Sequence, residues 1–115
     1  MAMEQMPHVD PQDAVTLVEG KGAVLLDVRE REEWDAGHAP AARHLPMSTI
    51  SDRAADIPTD ALIVCVCRSG GRSAAVTEAL LNGGWNAVNL EGGMQAWEAA
   101  GLPVVDDRGR PGQVA

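Results

Sequence analysis

The sequence places a cysteine at the head of a short glycine-rich segment that holds two arginines, Cys67-Arg68-Ser69-Gly70-Gly71-Arg72-Ser73. We call residues 67–73 the Cys67 loop. An apolar run precedes it and a helical pattern follows it. The paired glycines allow the main chain to curl so that successive N–H groups converge on an anion. The helix start and the two arginines add positive charge there. This environment predicts a Cys67 thiolate whose pKa lies below that of a free thiol.

Such a thiolate is suited to carrying a sulfur atom. It can attack a sulfane sulfur and become Cys–S–S⁻, and an acceptor thiolate or cyanide can then remove the outer sulfur. Both half-reactions exchange one anion for another in the same cradle, so a single preorganised site serves both. The chemistry needs no metal and no organic cofactor. We therefore predict that Cys67 is the catalytic nucleophile.

The charge of the chain excludes several classes of partner. Its 17 acidic and 9 basic residues give a net charge of −8, which argues against binding of nucleic acid and of anionic membranes. Arg68 and Arg72 are the only basic residues between Arg53 and Arg108, so positive charge is concentrated beside Cys67. The sequence shows neither a targeting signal nor an apolar stretch of about 18 residues. We therefore expect a cytoplasmic protein.

The elements that position the Cys67 loop follow from apolar runs and turn residues. Residues 23–26 and 61–66 are typical of buried parallel strands, and 86–90, 6–9 and 43–45 are weaker strand candidates. Asp10-Pro11 starts a helix that Gly20 is expected to stop, residues 73–82 form a second helix, and a third carries Trp97. This alternation predicts an α/β fold, a three-layer α/β/α domain with a central, mainly parallel five-stranded sheet.

We place the domain at residues 6–105, between a flexible N-terminus (1–5) and a flexible C-terminal tail (106–115). Asp27 and Cys67 each close a strand and should meet at the carboxyl edge of the sheet, where ligands bind in such folds. We expect Asp27 and Arg29 to hold the loop in shape through buried polar contacts.

The remaining thiol and imidazole groups have simpler explanations. Cys65 lies on an apolar strand and is interpreted as structural. A disulfide from Cys65 to Cys67 would be strained, because Cα atoms two residues apart on a strand lie about 6.6 Å from each other. Zinc binding is disfavoured by the spacing of the two cysteines. His38 and His44 are expected to fix the connection that follows Trp34.

Taken in order, five segments of the chain resemble the signatures of single-domain rhodaneses. They are Leu26-Asp27-Val28-Arg29, Glu33-Trp34, Gly37-His38-Ala39-Pro40-Ala41-Ala42, the Cys67 loop and Leu90-Glu91-Gly92-Gly93-Met94-Gln95-Ala96-Trp97. The resemblance implies the rhodanese fold and thiosulfate sulfurtransferase-type chemistry through a persulfide on Cys67. It implies a small-molecule sulfur donor and a thiol or cyanide acceptor. It also implies that the transferred sulfur and the sulfonate of the donor are bound by Arg68, Ser69, Gly70, Gly71, Arg72 and Ser73.

The resemblance leaves three alternatives. Phosphatases and arsenate reductases share this fold, but their loop is one residue longer, whereas four residues separate Cys67 from Arg72 here. A docking module without activity is disfavoured because Cys67 is retained. A persulfide relay, with a protein as sulfur donor or acceptor, is as compatible with the loop as a free-standing enzyme.

Overall fold

The computed structural model describes residues 7–115, in which strands and helices alternate. The elements are β1 (His8–Val9), α1 (Pro11–Lys21), β2 (Val24–Asp27), α2 (Arg31–Ala36), β3 (Arg43–His44), a 3₁₀ segment (Met47–Asp56), β4 (Ile63–Val66), α3 (Gly71–Asn82), β5 (Ala87–Leu90) and α4 (Gly93–Ala99). The five strands form one sheet in the order β1-β5-β4-β2-β3, and every pairing is parallel. The predicted α/β class and five-stranded sheet are confirmed.

The two central strands, β2 and β4, bring their ends together. Asp27 is in register with Val66, and the N–H of Val28 donates to the Val66 carbonyl at 3.0 Å. Because β4 is buried along its whole length, apolar residues occupy both of its faces. Asp27, the last residue of β2, and Cys67, the first residue after β4, therefore both lie at the carboxyl edge of the sheet, as expected.

Apolar clusters on both faces of the sheet make the domain three layers thick. On one face, α3, the 3₁₀ segment and the residue after it pack through Val76, Leu80, Ile50 and Ile57 against Leu26, Ile63 and Cys65. On the other face, α1 and α4 pack through Ala14, Val18, Met94 and Trp97 against Leu25, Val64 and Val66. Alternate residues of a strand point to opposite faces, so Cys65 and Cys67 both face α3.

Helix α1 begins as the sequence predicts but ends two residues later than expected. The Asp10 carboxylate accepts the N–H of Asp13 at 2.8 Å, so Asp10 is the N-cap. Gly20 was expected to stop the helix and does not, because the left-handed residue that ends it is Gly22, with φ 72°. Helix α3 begins at Gly71, two residues before the predicted start at Ser73. No helix within residues 7–115 is long and apolar enough to cross a membrane.

Residues 106–115, expected to be a loose tail, fold back against the domain. Val105 forms bridges with His38 and Pro111, and the N–H of Gln113 donates to Ala36 at 3.1 Å. Val114 packs against the apolar cluster of α1 and α4. A polar composition favours a loose tail, but these contacts with distant main chain stabilise the segment. The predicted flexible segment 1–5 lies outside the described residues.

Candidate active site

Cys67 directly follows β4 and lies at the bottom of its loop. The residue is only 1% exposed, whereas the neighbouring Arg68 and Ser69 are exposed. A reactant must therefore reach the sulfur through the opening of the loop.

Three hydrogen-bond donors surround the Cys67 sulfur. The N–H of Gly70 lies 3.1 Å from Sγ, the N–H of Ser73 lies 3.4 Å away, and the hydroxyl of Ser73 lies 3.3 Å away. Gly70 has φ 112°, a conformation that residues with a Cβ rarely adopt, and this turns its N–H towards the sulfur. Gly71 has an ordinary φ and opens α3, so the curl depends on the first of the two glycines.

These donors reverse the effect of burial on the Cys67 thiol. Burial by itself raises the pKa of Cys67. Hydrogen bonds from the Ser73 hydroxyl and from the N–H groups of Ser73, Gly70 and Ser69 lower it, and the net result is a pKa below the ordinary value. The thiolate is the nucleophilic form of cysteine, so the loop favours reactivity at neutral pH.

Cys65, two residues earlier, has the opposite environment. It is fully buried in the cluster between the sheet and α3, and burial raises its pKa to about 11 despite a hydrogen bond with Thr77. Both cysteines are free thiols. The interpretation of Cys65 as a structural residue agrees with this burial.

Residues of β5 and α4 donate hydrogen bonds to main-chain carbonyls of the Cys67 loop. This role for the two elements was not predicted from the sequence. The N–H of Met94 donates to the Cys67 carbonyl at 2.8 Å, and the Asn89 amide donates to the Gly70 carbonyl at 3.1 Å. Gly93 is required here, because an added Cβ would lie 2.5 Å from the carbonyl oxygens of Cys67 and Arg68. The Gly92-Gly93 pair before a helix was the one sequence signal of this close approach.

The two arginines of the loop are bound by protein oxygens. Both terminal nitrogens of Arg72 donate to the Glu33 carboxylate, at 2.8 and 2.7 Å. Arg68 is exposed, and its Nε donates to the main-chain oxygen of Ala115 at 2.7 Å. Both charges were expected to stabilise the thiolate. The groups that donate hydrogen bonds to the sulfur are the Ser73 hydroxyl and main-chain N–H groups, and Arg72 interacts with Cys67 through its charge.

Glu33 is missing from the sequence-based site and is strongly coupled to it. Hydrogen bonding to Arg72 lowers the pKa of Glu33 to about 2; burial opposes this, and a hydrogen bond from the Glu30 N–H adds to it. The same contact raises the pKa of Arg72. The two residues are 39 positions apart, so no local pattern indicates the pair.

Asp27 and Arg29 form a buried ion pair at the end of β2. Both side chains are 0% exposed, and Arg29 Nη2 lies 2.8 Å from the Asp27 carboxylate and 2.7 Å from the Gly37 carbonyl. Gly37 ends α2, the helix that carries Glu33. The hydrogen bonds described for this pair within residues 7–115 thus reach α2 and not residues 68–73. Support of the Cys67 loop by Asp27 and Arg29 stays a prediction, with α2 as the connecting element.

The two histidines next to α2 have structural contacts. The ring of His38 stacks on Trp34 with centroids 3.5 Å apart, and His44 stacks on the same indole at 4.7 Å. His44 Nε2 also lies 2.7 Å from the Arg29 carbonyl. This agrees with their predicted role in the connection after Trp34. Within the part of the chain described, no three His, Cys, Asp or Glu side chains cluster as metal ligands would.

Comparison with known proteins shows which family this chain belongs to. Residues 10–100 match the family of the rhodanese-like domain. The chain belongs to the rhodanese-like family. It is 39% identical over 94 residues to a sulfurtransferase of Allochromatium vinosum, covering 81% of this chain and 88% of that protein.

Two further relatives support this assignment. A thiosulfate sulfurtransferase of Pseudomonas putida is 31% identical over 98 residues, covering 84% of this chain and 89% of that protein. The crystal structure of a rhodanese-related protein from Thermoplasma volcanium superposes with a TM-score of 0.80 at 32% identity, covering 86% of this chain and 97% of that one. The fold of this rhodanese-like chain is thus that of its relatives.

Proposed function

We propose that this rhodanese-like protein is a sulfurtransferase that moves a sulfane sulfur from a small-molecule donor to a thiol or cyanide through a persulfide on Cys67. The observation that carries the proposal is the Cys67 sulfur, held between the N–H groups of Gly70 and Ser73 and the Ser73 hydroxyl. Relatives named as sulfurtransferases support it.

In the first half-reaction the Cys67 thiolate attacks the outer sulfur of thiosulfate. A new S–S bond forms on Cys67, the S–S bond of thiosulfate breaks, and sulfite leaves with the bonding electron pair. The products are Cys–S–S⁻ and sulfite, so the charge of −3 is conserved. In the second half-reaction, cyanide attacks the outer sulfur and leaves as thiocyanate, which regenerates the Cys67 thiolate.

The loop stabilises an anion at every stage. The N–H and O–H groups that hold the Cys67 thiolate also favour the negative charge of a persulfide on the same residue, so one preorganised set of donors serves both half-reactions. We assign this role to Ser69, Gly70 and Ser73, while Gly71 opens α3. Arg68 and Arg72 stand at the opening, where a donor's sulfonate would approach. The chemistry requires no cofactor.

Intact mass spectrometry after incubation with thiosulfate tests the proposal. We expect the wild type to gain the mass of one sulfur atom, Cys65→Ala to gain the same, and Cys67→Ala to gain nothing. Adding cyanide should restore the original mass and release thiocyanate. Failure of the wild type to gain sulfur would contradict the proposal. Hydrolysis of an aryl phosphate that is lost in Cys67→Ser would contradict it in favour of a phosphatase.

A further inference from the structure

We propose that Glu33 is a specificity-determining residue that occupies Arg72 and thereby disfavours dianionic sulfur donors relative to monoanionic ones. Thiosulfate is the dianionic case. An alkyl thiosulfonate such as methanethiosulfonate offers the same sulfane sulfur with one negative charge fewer. This inference rests on the proposed sulfurtransferase function and concerns the choice of donor.

Glu33 occupies one of the two bidentate edges of the Arg72 guanidinium. Nη1 and Nη2 of Arg72 each donate to a different oxygen of the Glu33 carboxylate, at 2.8 and 2.7 Å. This two-pronged arrangement is the one that a guanidinium uses to bind a carboxylate or phosphate. A donor's sulfonate that approaches this edge must compete with Glu33, which also neutralises the charge of Arg72.

Glu33 is also anchored from its other side. It lies in the first turn of α2, where its Oε1 accepts the Glu30 N–H at 3.0 Å as part of a capping box. Its side chain is 21% exposed, against 38% for Arg72. A carboxylate fixed by a helix cap is preorganised to hold the arginine, and its low pKa keeps it ionised at neutral pH. Glu33 is thus a persistent competitor for Arg72.

Arg68 is the other cation of the loop. It is exposed and donates through Nε to the main-chain oxygen of Ala115, and no side-chain carboxylate within residues 7–115 is shown to hold it as Glu33 holds Arg72. The donors at the Cys67 sulfur are neutral N–H and O–H groups that surround a single atom. The donors at the sulfur therefore do not distinguish leaving groups of different charge. A difference between the two sulfur donors must come from the charged groups around the loop, namely the two arginines and Glu33.

Both donors undergo the same bond changes at Cys67. With thiosulfate the leaving group is sulfite, and with methanethiosulfonate it is methanesulfinate. In each case the S–S bond of the donor breaks, its electron pair leaves with the oxidised sulfur, and Cys–S–S⁻ forms. The charge of −2 is conserved with the thiosulfonate. Methanethiosulfonate has a methyl group in place of one oxygen of thiosulfate. The main difference between the two donors is therefore the charge that they bring to Arg72 and Glu33.

The test is the substitution Glu33→Gln, assayed with both donors. Glutamine keeps an oxygen for the Glu30 N–H but loses the charge that holds Arg72. We expect the KM for thiosulfate to fall about tenfold, the change expected from freeing one charged donor pair. The KM for methanethiosulfonate should fall by about threefold at most, because it has one charge fewer to be attracted.

Asp35→Asn is the matched control, since it removes one negative charge from the same helix. Asp35 pairs with Arg31 on the exposed surface, so both KM values should stay within about twofold of wild type. An equal fall for both donors in Glu33→Gln, or no fall for thiosulfate, would overturn the inference.

Glu33 could weaken thiosulfate binding either by pairing with Arg72 or by repelling the dianion directly. Repeating the Glu33→Gln substitution in a variant without Arg72 distinguishes the two explanations. In Arg72→Met the Glu33→Gln change should no longer lower the KM for thiosulfate, because no guanidinium remains to be freed. A tenfold fall that persists in this background would overturn the inference. Intact mass after incubation with each donor distinguishes failure of this inference from failure of the proposed function. If the wild type gains no sulfur from either donor, the proposed function itself is contradicted.

Discussion

The neighbouring strands β2 and β4 each end on an acidic group that is buried, but the two groups are stabilised in different ways. The Asp27 carboxylate faces the Arg29 guanidinium, with both side chains 0% exposed. The Cys67 sulfur faces the N–H groups of Gly70 and Ser73 and a hydroxyl. One strand end uses a full opposite charge, and the other uses neutral dipoles.

This difference separates a structural site from an exchangeable one. A buried arginine requires a permanent anion, because leaving it uncompensated in a low-dielectric interior is very unfavourable. Neutral N–H groups tolerate a thiol, a thiolate or a persulfide in turn, since no net charge is stranded when the occupant changes. If Cys67 carries sulfur as proposed, its site must change occupant, and main-chain donors suit that task better than a fixed charge.

The largest expected effect comes from breaking the ion pair at the end of β2. Asp27→Asn should lower the free energy of unfolding by about 3–5 kcal/mol, because Arg29 would remain buried without its counterion. Cys67→Ala, at the end of β4, should cost about 1 kcal/mol, as expected for a small buried side chain. Urea unfolding followed by circular dichroism measures both. Similar losses for the two variants would contradict the distinction between the strand ends.

The next largest effect concerns the neutral groups that stabilise the Cys67 thiolate. Ser73→Ala removes a hydroxyl that lowers the pKa of Cys67, so the pKa should rise and alkylation by iodoacetamide at neutral pH should slow, by about tenfold at most. The rate should fall as pH falls through this pKa, because protonation removes the thiolate. In wild type the fall should occur at lower pH than in the variant.

Thr77→Val is the matched control for this measurement. Thr77 lies one turn further along α3, bonds with Cys65 and donates its hydroxyl to the Ser73 carbonyl at 2.8 Å. It is not among the groups that donate to the Cys67 sulfur, so its loss should shift the alkylation profile of Cys67 much less than Ser73→Ala does. Equal profiles for wild type and Ser73→Ala would show that the hydroxyl does not stabilise the thiolate.

The smallest effect concerns the second thiol. Cys65→Ala should lower the free energy of unfolding by about 1 kcal/mol, because it removes a small buried group. It should leave the rate of sulfur loading from thiosulfate within about twofold of wild type. Stopped loading assays followed by intact mass would show this. A loss of loading would assign Cys65 a role in the chemistry and would contradict its structural interpretation.

Much of the fold was predictable because its signals are local. The N-cap at Asp10, the apolar runs of β2 and β4 and the helix that follows the Cys67 loop all depend on residues close in sequence. The end of α1 was not predictable from Gly20. A glycine marks a helix end only where the chain takes up a left-handed conformation, and the return into β2 places that point at Gly22.

The contacts that surround the loop were less accessible to sequence reasoning. The Asn89 amide, the Met94 N–H and the Glu33 carboxylate reach residues 67–72 from other elements. Residues 106–115 likewise depend on partners such as Ala36 and His38, far away in the chain. The sequence around a polar side chain or main-chain group does not indicate which distant residue it will bond.

The sequence by itself determined which groups surround the Cys67 sulfur, while the role of Cys67 as nucleophile stays a prediction. Gly70 and Ser73 lie within six positions of Cys67, and a glycine turn followed by a helix produces convergent N–H groups whatever surrounds it. The tertiary structure decided which charges meet the arginines. Arg72 was expected to add positive charge beside Cys67, and the packing of α2 beside the loop pairs that charge with Glu33. Electrostatic pairing acts through space, so it is set only once the elements have packed.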